Sequence, residues 1–335
     1  MSISIVKQGI LDTIQDTGRY GYQHLGINPC GAMDTLAAAI ANILVGNEKN
    51  EAVIEMHFPA SSFLFGEKCM IALSGADFHA TLYNEPIPLN TAVIVKENSI
   101  LEFKQFRHGE RCYLAIHGGF DIEQWLNSYS THLKAVAGGY SGRQLKKDDV
   151  LKLKEPRFNF SSYHKSFFTL PVTVDVAAFY DHSPKVRCVQ GSEFDWLSSE
   201  AKKTLPSSSF RISLRSDRMG YCLEGISLDT NTNKQLISSA VTKGTIQLLP
   251  SGQLIILMAD HQTTGGYPKI AHVISADIPK LGQMRPNRII QFEFVTFAEA
   301  EEIFMQQQQF LQESTNKINL ELNQFFFDAD YRPEL

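Results

Sequence analysis

Residues 260–269 concentrate side chains that could bind or activate a ligand. Gly265 and Gly266 would let the backbone adopt a positive φ or approach a ligand closely. Apolar runs at residues 254–259 and 270–274 flank the stretch and predict a loop between two buried strands, where binding residues are common. The structural alternative is a hairpin whose Thr and Asp side chains satisfy their own turn backbone. The candidate ligand-binding side chains are Asp260, Gln262, Thr263, Thr264, Tyr267 and Lys269.

A glycine-rich stretch before the first predicted helix is the second candidate region, because glycines at this density do not suit a helix interior. Asp16 and Arg19, close to Gly21, could bind a polar ligand, or they could pair with each other and brace the loop. Asp34 is the predicted N-cap of a helix at residues 35–45. The N-terminus of that helix would favour an anionic ligand beside the loop.

The elements that must position these residues are mostly short strands separated by turns, which predicts a β-barrel or sandwich rather than a doubly wound sheet. Residues 156–166 lack periodicity and are the predicted linker between domains at 1–155 and 167–296, with a C-terminal helix and tail at 297–335. The predicted strands are 2–6, 52–56, 69–74, 78–82, 92–95, 100–103, 111–116, 150–153, 172–176, 185–190, 210–214, 244–248, 254–258 and 289–294, and the other predicted helices are 194–203 and 298–311.

The two halves of the chain share short patterns. Asp217 and Arg218, followed by a Gly-Tyr pair, repeat the arrangement of Asp16 and Arg19 in the first half. The similarity favours two related β domains. For both Asp–Arg motifs an internal brace is as reasonable as a ligand site.

Composition excludes several classes of protein. The chain has 335 residues, 43% of them hydrophobic, which is enough for two domains with cores. A net charge of -5 gives no broad cationic surface for nucleic acid. Five scattered cysteines argue against a disulfide framework and a zinc site. Without a signal peptide or an apolar run of membrane-spanning length, the sequence predicts a cytoplasmic protein.

Familiar catalytic motifs are absent from the sequence. It lacks the P-loop pattern, the dinucleotide-binding glycine pattern, the H-E-x-x-H zinc pattern and the G-x-S-x-G elbow. We therefore predict no metal site and no biotin attached to this chain, since no lysine lies between methionines as in a biotin attachment site.

Six stretches taken together resemble a known family. They resemble the family of the 5-oxoprolinase C subunit, also called the KipA or biotin-dependent carboxyltransferase family, which is related to the carboxyltransferase region of urea amidolyase. His261 stands where this family commonly has Arg, and Asn127 where it often has Gly. The matching stretches are residues 16–23, 31–34, 41–47, 113–119, 216–220 and 262–268.

The resemblance implies a mainly β fold with two cyclophilin-like β-barrel domains in tandem and a few short helices. It implies a hydrolase subunit that, with a KipI-like protein and a LamB/YcsF-type protein as partners, opens 5-oxoproline to L-glutamate at the expense of ATP. Without a P-loop, the ATP site would be shared with a partner or lie on it. The alternatives are a carboxyltransferase subunit for urea or a related amide, and a non-enzymatic antagonist of a KipI-like kinase inhibitor.

On this resemblance we hypothesise that the two Asp–Arg motifs and residues 260–269 converge on one cleft. Arginines could hold a carboxylate or phosphate, and the glycine backbone and threonine hydroxyls could hold an oxyanion. The predicted catalytic residues are Asp260, Asp217, Arg218 and Lys269. The predicted substrate- or phosphate-binding residues are Asp16, Arg19, Gly21, Asp34, His117, Gly118, Gly119, Gln262, Thr263, Thr264, Gly265, Gly266 and Tyr267.

Overall fold

A computed structural model describes residues 1–160, 165–181, 183–232, 234 and 236–327. Parts of the predicted linker (161–164) and tail (328–335) lie outside the described residues. The chain separates into two compact units. The first contains Met1–Gly18, Asp34–Phe179 and Gln309–Leu335, and the second contains Arg19–Met33 and Tyr180–Gln308. The sequential domain boundaries stay a prediction.

The first unit contains two six-stranded sheets. Their strand orders are β11-β1-β4-β9-β6-β7 and β12-β8-β5-β10-β3-β2 in the numbering that follows. The strands are β1 (Ser2–Lys7), β2 (Thr13–Gln15), β3 (Val53–Met56), β4 (Ser62–Phe65), β5 (Cys69–Asp77), β6 (Ala80–Leu82), β7 (Glu85–Pro86), β8 (Thr91–Val95), β9 (Ile100–Phe103), β10 (His108–Ile116), β11 (Val150–Lys152) and β12 (Phe167–Thr173).

The central strands of the second sheet are buried on both faces. Ile71 and Leu73 of β5 enter a core that also contains Phe63 and other residues of the first sheet. Met70, which alternates with them, is also fully buried, and helix α1 (Thr35–Leu44) packs against β5 and β10. Burial on both faces explains why these strands are almost uninterrupted apolar runs.

Asp34 caps α1 as predicted. Its carboxylate accepts a hydrogen bond from the Ala37 N–H at 2.9 Å, and its own N–H donates to the Tyr113 hydroxyl at 2.9 Å. Asp34 has no exposed surface. A carboxylate of the chain therefore already satisfies one N–H group of the helix N-terminus, which gives Asp34 a structural role.

The second unit contains a closed seven-stranded barrel in the order β13-β20-β17-β18-β15-β14-β21 and a two-stranded sheet of β16 and β19. Its strands are β13 (Lys185–Gln190), β14 (Ser209–Ile212), β15 (Gly220–Glu224), β16 (Ser239–Ala240), β17 (Thr245–Leu248), β18 (Leu254–Leu257), β19 (Thr264–Gly265), β20 (Lys269–Val273) and β21 (Ile289–Phe294). The helices after α1 are α2 (Ser199–Ser207), α3 (Ile278–Gly282) and α4 (Phe297–Phe327).

The prediction of a mainly β fold is confirmed, and one of the units has a closed barrel. Helix α4 is longer than the predicted 298–311. Its second half buries Ile318, Leu322 and Phe325, whose spacing places them on one helical face. Among the described residues, no helix is both long enough and apolar enough to cross a membrane.

His117 connects three segments of the first unit. Its Nδ1 lies 2.6 Å from the Val45 carbonyl oxygen, and its Nε2 accepts the N–H groups of Arg157 and Phe158 at 3.0 and 3.3 Å. The ring stacks on Phe158, which stacks on Phe326 of α4. These bonds require a neutral ring with its proton on Nδ1. Burial, together with the nearby Arg157 charge, lowers the pKa of His117.

We expect His117→Phe to lower the free energy of unfolding by about 1–3 kcal/mol near neutral pH, since two backbone N–H groups lose their acceptor. Because the folded pKa lies below the ordinary 6.5, the stability that His117 contributes is present above that pH and is lost as pH falls below it. The difference between wild type and variant should therefore shrink in acid. Urea unfolding of wild type and variant at pH values above and below 6.5 measures this difference, with a phenylalanine substitution at the exposed His24 (His24→Phe) as control. A difference independent of pH would contradict the assignment.

Candidate functional site

The middle of residues 260–269 forms a small ribbon instead of a hairpin closed on itself. We call β16 and β19 the ribbon. Ser239 of β16 lies opposite Gly265 of β19, and the Val241 N–H donates to the Thr263 carbonyl oxygen at 3.2 Å. The partner strand thus comes from a distant part of the sequence, between β15 and β17.

Arg218 and Asp260 form a buried two-pronged ion pair. The Arg218 Nε and one terminal nitrogen donate to the two Asp260 oxygens at 3.0 and 2.9 Å, and the same terminal nitrogen donates to the Gly31 carbonyl at 2.6 Å. Asn28 donates to the Asp260 carbonyl at 2.8 Å. The predicted fork geometry of Arg218 is present, with an internal carboxylate as its acceptor. A general-base role for Asp260 would require this pair to open and stays a prediction.

Arg19 and Cys30 lie beside this ion pair. The Cys30 thiol is hydrogen-bonded to Arg19, and it interacts electrostatically with Asp260 and Arg218. Burial, more than any of these charges, raises the pKa of Cys30 to about 12, so the thiol is protonated near neutral pH. The nearby Gly21 has φ 92° and an exposed position, and it supplies a left-handed turn in the same loop.

Asp217 supports a turn. Its carboxylate accepts the N–H groups of Met219 and Gly220 at 2.7 and 3.3 Å. The residue is exposed. This structural contact differs from the brace between Asp217 and Arg218 that the sequence left open, and a catalytic role for Asp217 stays a prediction.

A register shift between β17 and β20 gathers polar side chains on one face of the barrel wall. Thr245 pairs with His272 and Gln247 with Lys269, with one extra residue of β20 between these pairs. Both intervening residues of β20, Ile270 and Ala271, enter the barrel core. Paired side chains point to the same side of a sheet, so all four polar residues share the outer side. We call Thr245, Gln247, Lys269 and His272 the polar face.

The ribbon contacts the polar face closely. The Lys269 Nζ donates to the Ser239 hydroxyl at 2.5 Å, and the Gln247 Nε2 donates to the Tyr267 carbonyl at 3.4 Å. A methyl group at Gly265 would lie 2.5 Å from the Gln247 Nε2. Gly265 therefore allows its backbone to lie close to the Gln247 side chain, and neither it nor Gly266 has a positive φ.

The buried His261 and the half-buried His272 of the polar face both favour their neutral forms. His261 Nδ1 lies 2.6 Å from the Gln262 carbonyl, and burial lowers the pKa of His261 despite the opposing charge of Asp260. Burial, and then the proximity of His261, lowers the pKa of His272. His272 Nδ1 lies 3.3 Å from the Thr245 hydroxyl. Neutral imidazoles can donate a hydrogen bond to a carbonyl or accept a proton.

Glu193, which sequence reasoning missed, holds the start of β20. Its carboxylate accepts the Lys269 N–H and the Ser192 hydroxyl, each at 2.9 Å, and lies 3.6 Å from the Lys269 ammonium. Ser239, Thr245, Gln247 and His272 were also missed. Of these, His272 was the one with a sequence signal, as a polar residue inside a predicted buried strand.

Asp16 is the centre of a loop brace in the first unit. Its two carboxylate oxygens accept the hydroxyls of Ser128 and Ser130 at 2.8 and 2.5 Å and the N–H groups of Tyr129 and Gly18 at 2.7 Å each. Four donors satisfy the carboxylate without a ligand. The bracing alternative therefore explains Asp16, with two serine hydroxyls and two backbone N–H groups as its partners.

The remaining first-unit candidates also make internal contacts. The Gly118 N–H donates to the Asn47 side chain at 2.9 Å, and Gly119, with φ 84°, packs against the Glu51 side chain. Both nitrogens of His117 are engaged as described above. Convergence of all candidates on one cleft stays a prediction. The structure brings together those around the Arg218–Asp260 pair and those at the polar face.

The arrangement in the second unit combines an ammonium group, two neutral imidazoles, hydroxyls and a buried amide. Such a set can bind an anion and polarise a carbonyl group. Among the residues that the structure describes, no three His, Cys, Asp or Glu side chains form a group that could hold a metal ion.

The sequence from residue 25 to 294 matches the family model described as "Carboxyltransferase domain, subdomain A and B". The chain belongs to this carboxyltransferase domain family. It is similar to the C subunit of 5-oxoprolinase from Haemophilus influenzae, with 36% identity over 86% of this chain and 89% of the relative. It is also similar to the C subunit of 5-oxoprolinase from Escherichia coli, with 33% identity over 93% of this chain and 97% of the relative. The resemblance seen in the sequence is confirmed.

Larger proteins contain a matching region. Urea amidolyase of Saccharomyces cerevisiae is 30% identical over 87% of this chain, which spans 16% of that protein. The crystal structure of the Kluyveromyces lactis urea amidolyase matches with a TM-score of 0.84 and 26% identity, over 93% of this chain and 20% of that one. The structure of TTHA0988 matches with a TM-score of 0.74 and 29% identity, over 87% of this chain and 55% of that one.

We expect Arg218→Met to lower the free energy of unfolding by about 3–5 kcal/mol, because it leaves the Asp260 carboxylate buried without its partner. The double variant Arg218→Met/Asp260→Leu should lose less than the single variant, since no buried charge remains. Urea unfolding of both variants measures this. A double variant that loses as much unfolding free energy as Arg218→Met alone, or more, would contradict the pairing.

We expect Gly265→Ala to displace the ribbon from the barrel, because its methyl group would lie 2.5 Å from the Nε2 of the buried Gln247 side chain and one of the two must move. Hydrogen exchange at the Val241 amide should quicken, and adding Gln247→Ala should restore slow exchange. Gly266→Ala, whose methyl group would meet no atom closer than the Ser238 hydroxyl at 3.1 Å, is the matched control. Unchanged exchange in Gly265→Ala would show that the ribbon does not depend on this contact.

Proposed function

We propose that this chain is one component of an ATP-dependent 5-oxoprolinase that opens the lactam of 5-oxoproline to L-glutamate. The observation that carries the proposal is similarity over nearly whole lengths. Two bacterial proteins named as the C subunit of 5-oxoprolinase are matched over 89% and 97% of their sequences, whereas the chain spans 16% of a yeast urea amidolyase.

The chemistry of the polar face supports this proposal. A lactam resists hydrolysis because resonance reduces the electrophilicity of its carbonyl carbon. Hydrogen-bond donors that stabilise the oxyanion formed on attack at this carbon, or transfer of a phosphoryl group from ATP to the carbonyl oxygen, overcome this resistance. The half-buried, neutral His272 and the Thr245 hydroxyl beside it are suited to orient such a group or to accept a proton from water.

The proposal includes partners and a location. A KipI-like protein and a LamB/YcsF-type protein complete the enzyme, and ATP binds at a site shared with a partner or on it. The chain alone has no turnover, and the enzyme acts in the cytoplasm. The four buried cysteines and the one partly exposed cysteine, all free thiols, agree with a reducing compartment.

Carboxyl transfer is the second candidate function. The family model and the TM-score of 0.84 to a urea amidolyase favour it. In that case a biotin group on another protein would deliver the carboxyl group, and the acceptor would be an amide nitrogen.

Reconstitution with the two partner proteins tests these functions. We expect ADP and glutamate to form together, only when 5-oxoproline and all three proteins are present. A parallel assay supplies urea, bicarbonate and a biotinylated carrier protein. ADP formation that depends on urea and biotin would favour the carboxyltransferase. Stable binding to the KipI-like protein without turnover of either substrate would contradict both and favour an antagonist.

A further inference from the structure

The Lys269 ammonium is held in a defined place on the polar face. The register shift in β20 directs its side chain outward, and only 17% of that side chain is exposed. The Ser239 hydroxyl accepts one of its protons at 2.5 Å. A cation fixed in this way loses little rotamer freedom when it binds a ligand.

Lys269 retains the capacity to bind a further acceptor. An ammonium group has three donors, and one is used by Ser239. The nearest Glu193 oxygen is 3.6 Å away, beyond hydrogen-bond distance, and already accepts the Lys269 N–H and the Ser192 hydroxyl. Glu193 therefore orients the lysine without saturating it.

The other donors of the polar face carry no charge. Gln247 and Thr245 are neutral, and burial lowers the pKa of His272, so its imidazole is uncharged near neutral pH. An anionic group of a ligand would form its strongest hydrogen bond with the charged Lys269, whereas an uncharged carbonyl would need only a neutral donor of the strand pair. The polar face thus places one charged donor, Lys269, next to uncharged polar side chains, of which Thr245 and Gln247 are buried.

We propose that Lys269 binds the carboxylate of the substrate, so that the site selects an amide that carries a carboxylate over an uncharged amide such as urea. This inference rests on the proposed function and names the substrate class of the same site. Lys269 is then the specificity-determining residue, with Glu193 and Ser239 positioning its ammonium group.

Calorimetric binding tests the proposal with two lactams that differ only in the carboxylate, 5-oxoproline and 2-pyrrolidinone. Binding is measured on the chain alone and on the assembled complex without ATP. Lys269→Met should weaken 5-oxoproline binding roughly 10- to 100-fold, as expected for loss of a charge-assisted contact, and leave 2-pyrrolidinone binding unchanged. Lys269→Arg, which keeps the charge, should retain most of the affinity.

Lys185→Met is the matched control, since Lys185 pairs with Glu293 on the same barrel but is 58% exposed. The inference is overturned if Lys269→Met weakens both lactams equally, if it affects neither, or if wild type does not bind 5-oxoproline in either preparation. Binding that depends on Lys269 without turnover in the full complex would sustain the inference and refute the proposed function. Turnover of 5-oxoproline in the full complex that is unchanged by Lys269→Met would refute the inference and sustain the proposed function.

Discussion

The site in the second unit depends on one extra residue in strand β20. In a regular strand, Ile270 and Ala271 would point to opposite sides of the barrel wall. The register shift lets both enter the core, and it places Lys269 and His272 together on the outer side. Burial of the two apolar side chains stabilises the shift, so the same apolar packing that closes the barrel also determines which polar groups meet outside it.

Buried charge is the second constraint, and in each unit it is met within the chain. Arg218 and Asp260 satisfy each other in the second unit. In the first unit, the buried Tyr113 hydroxyl donates to Glu55 at 2.8 Å. Burial raises the pKa of Tyr113, which keeps this phenol protonated as a donor. Because an unpaired buried charge costs several kcal/mol, these networks favour one arrangement of each loop over its alternatives.

Much of the fold could be read from local sequence patterns. Ile100–Phe103, Lys185–Gln190 and Ile289–Phe294 were predicted with their observed bounds, and Asp34 was recognised as a helix cap. Such features depend on neighbouring residues. The length of α4 was underestimated because its apolar face is sparse and is buried by residues far away in the sequence.

The site was less predictable because its geometry is not local. The loop at residues 260–269 was recognised, but its partner Ser239 and the supporting Glu193 lie in segments without a distinctive pattern. A register shift leaves no mark in an apolar run, so His272 could not be placed beside Lys269. Asp16 and Asp217 look catalytic in sequence because short acidic residues next to glycine serve turns as well as active sites.

The origin of the ribbon has a consequence for how this chain tolerates changes in length. The segment that follows β15 positions Ser239 beside Lys269. In contrast, β17 and β18 are joined by a short exposed turn at Pro250 and Ser251. A residue inserted at that turn would be absorbed locally, as surface turns usually allow. An insertion between Ser239 and Ala240 would instead break their pairing with Gly265 and Thr264. Natural length variation should therefore be tolerated at the turn and be rare within the ribbon.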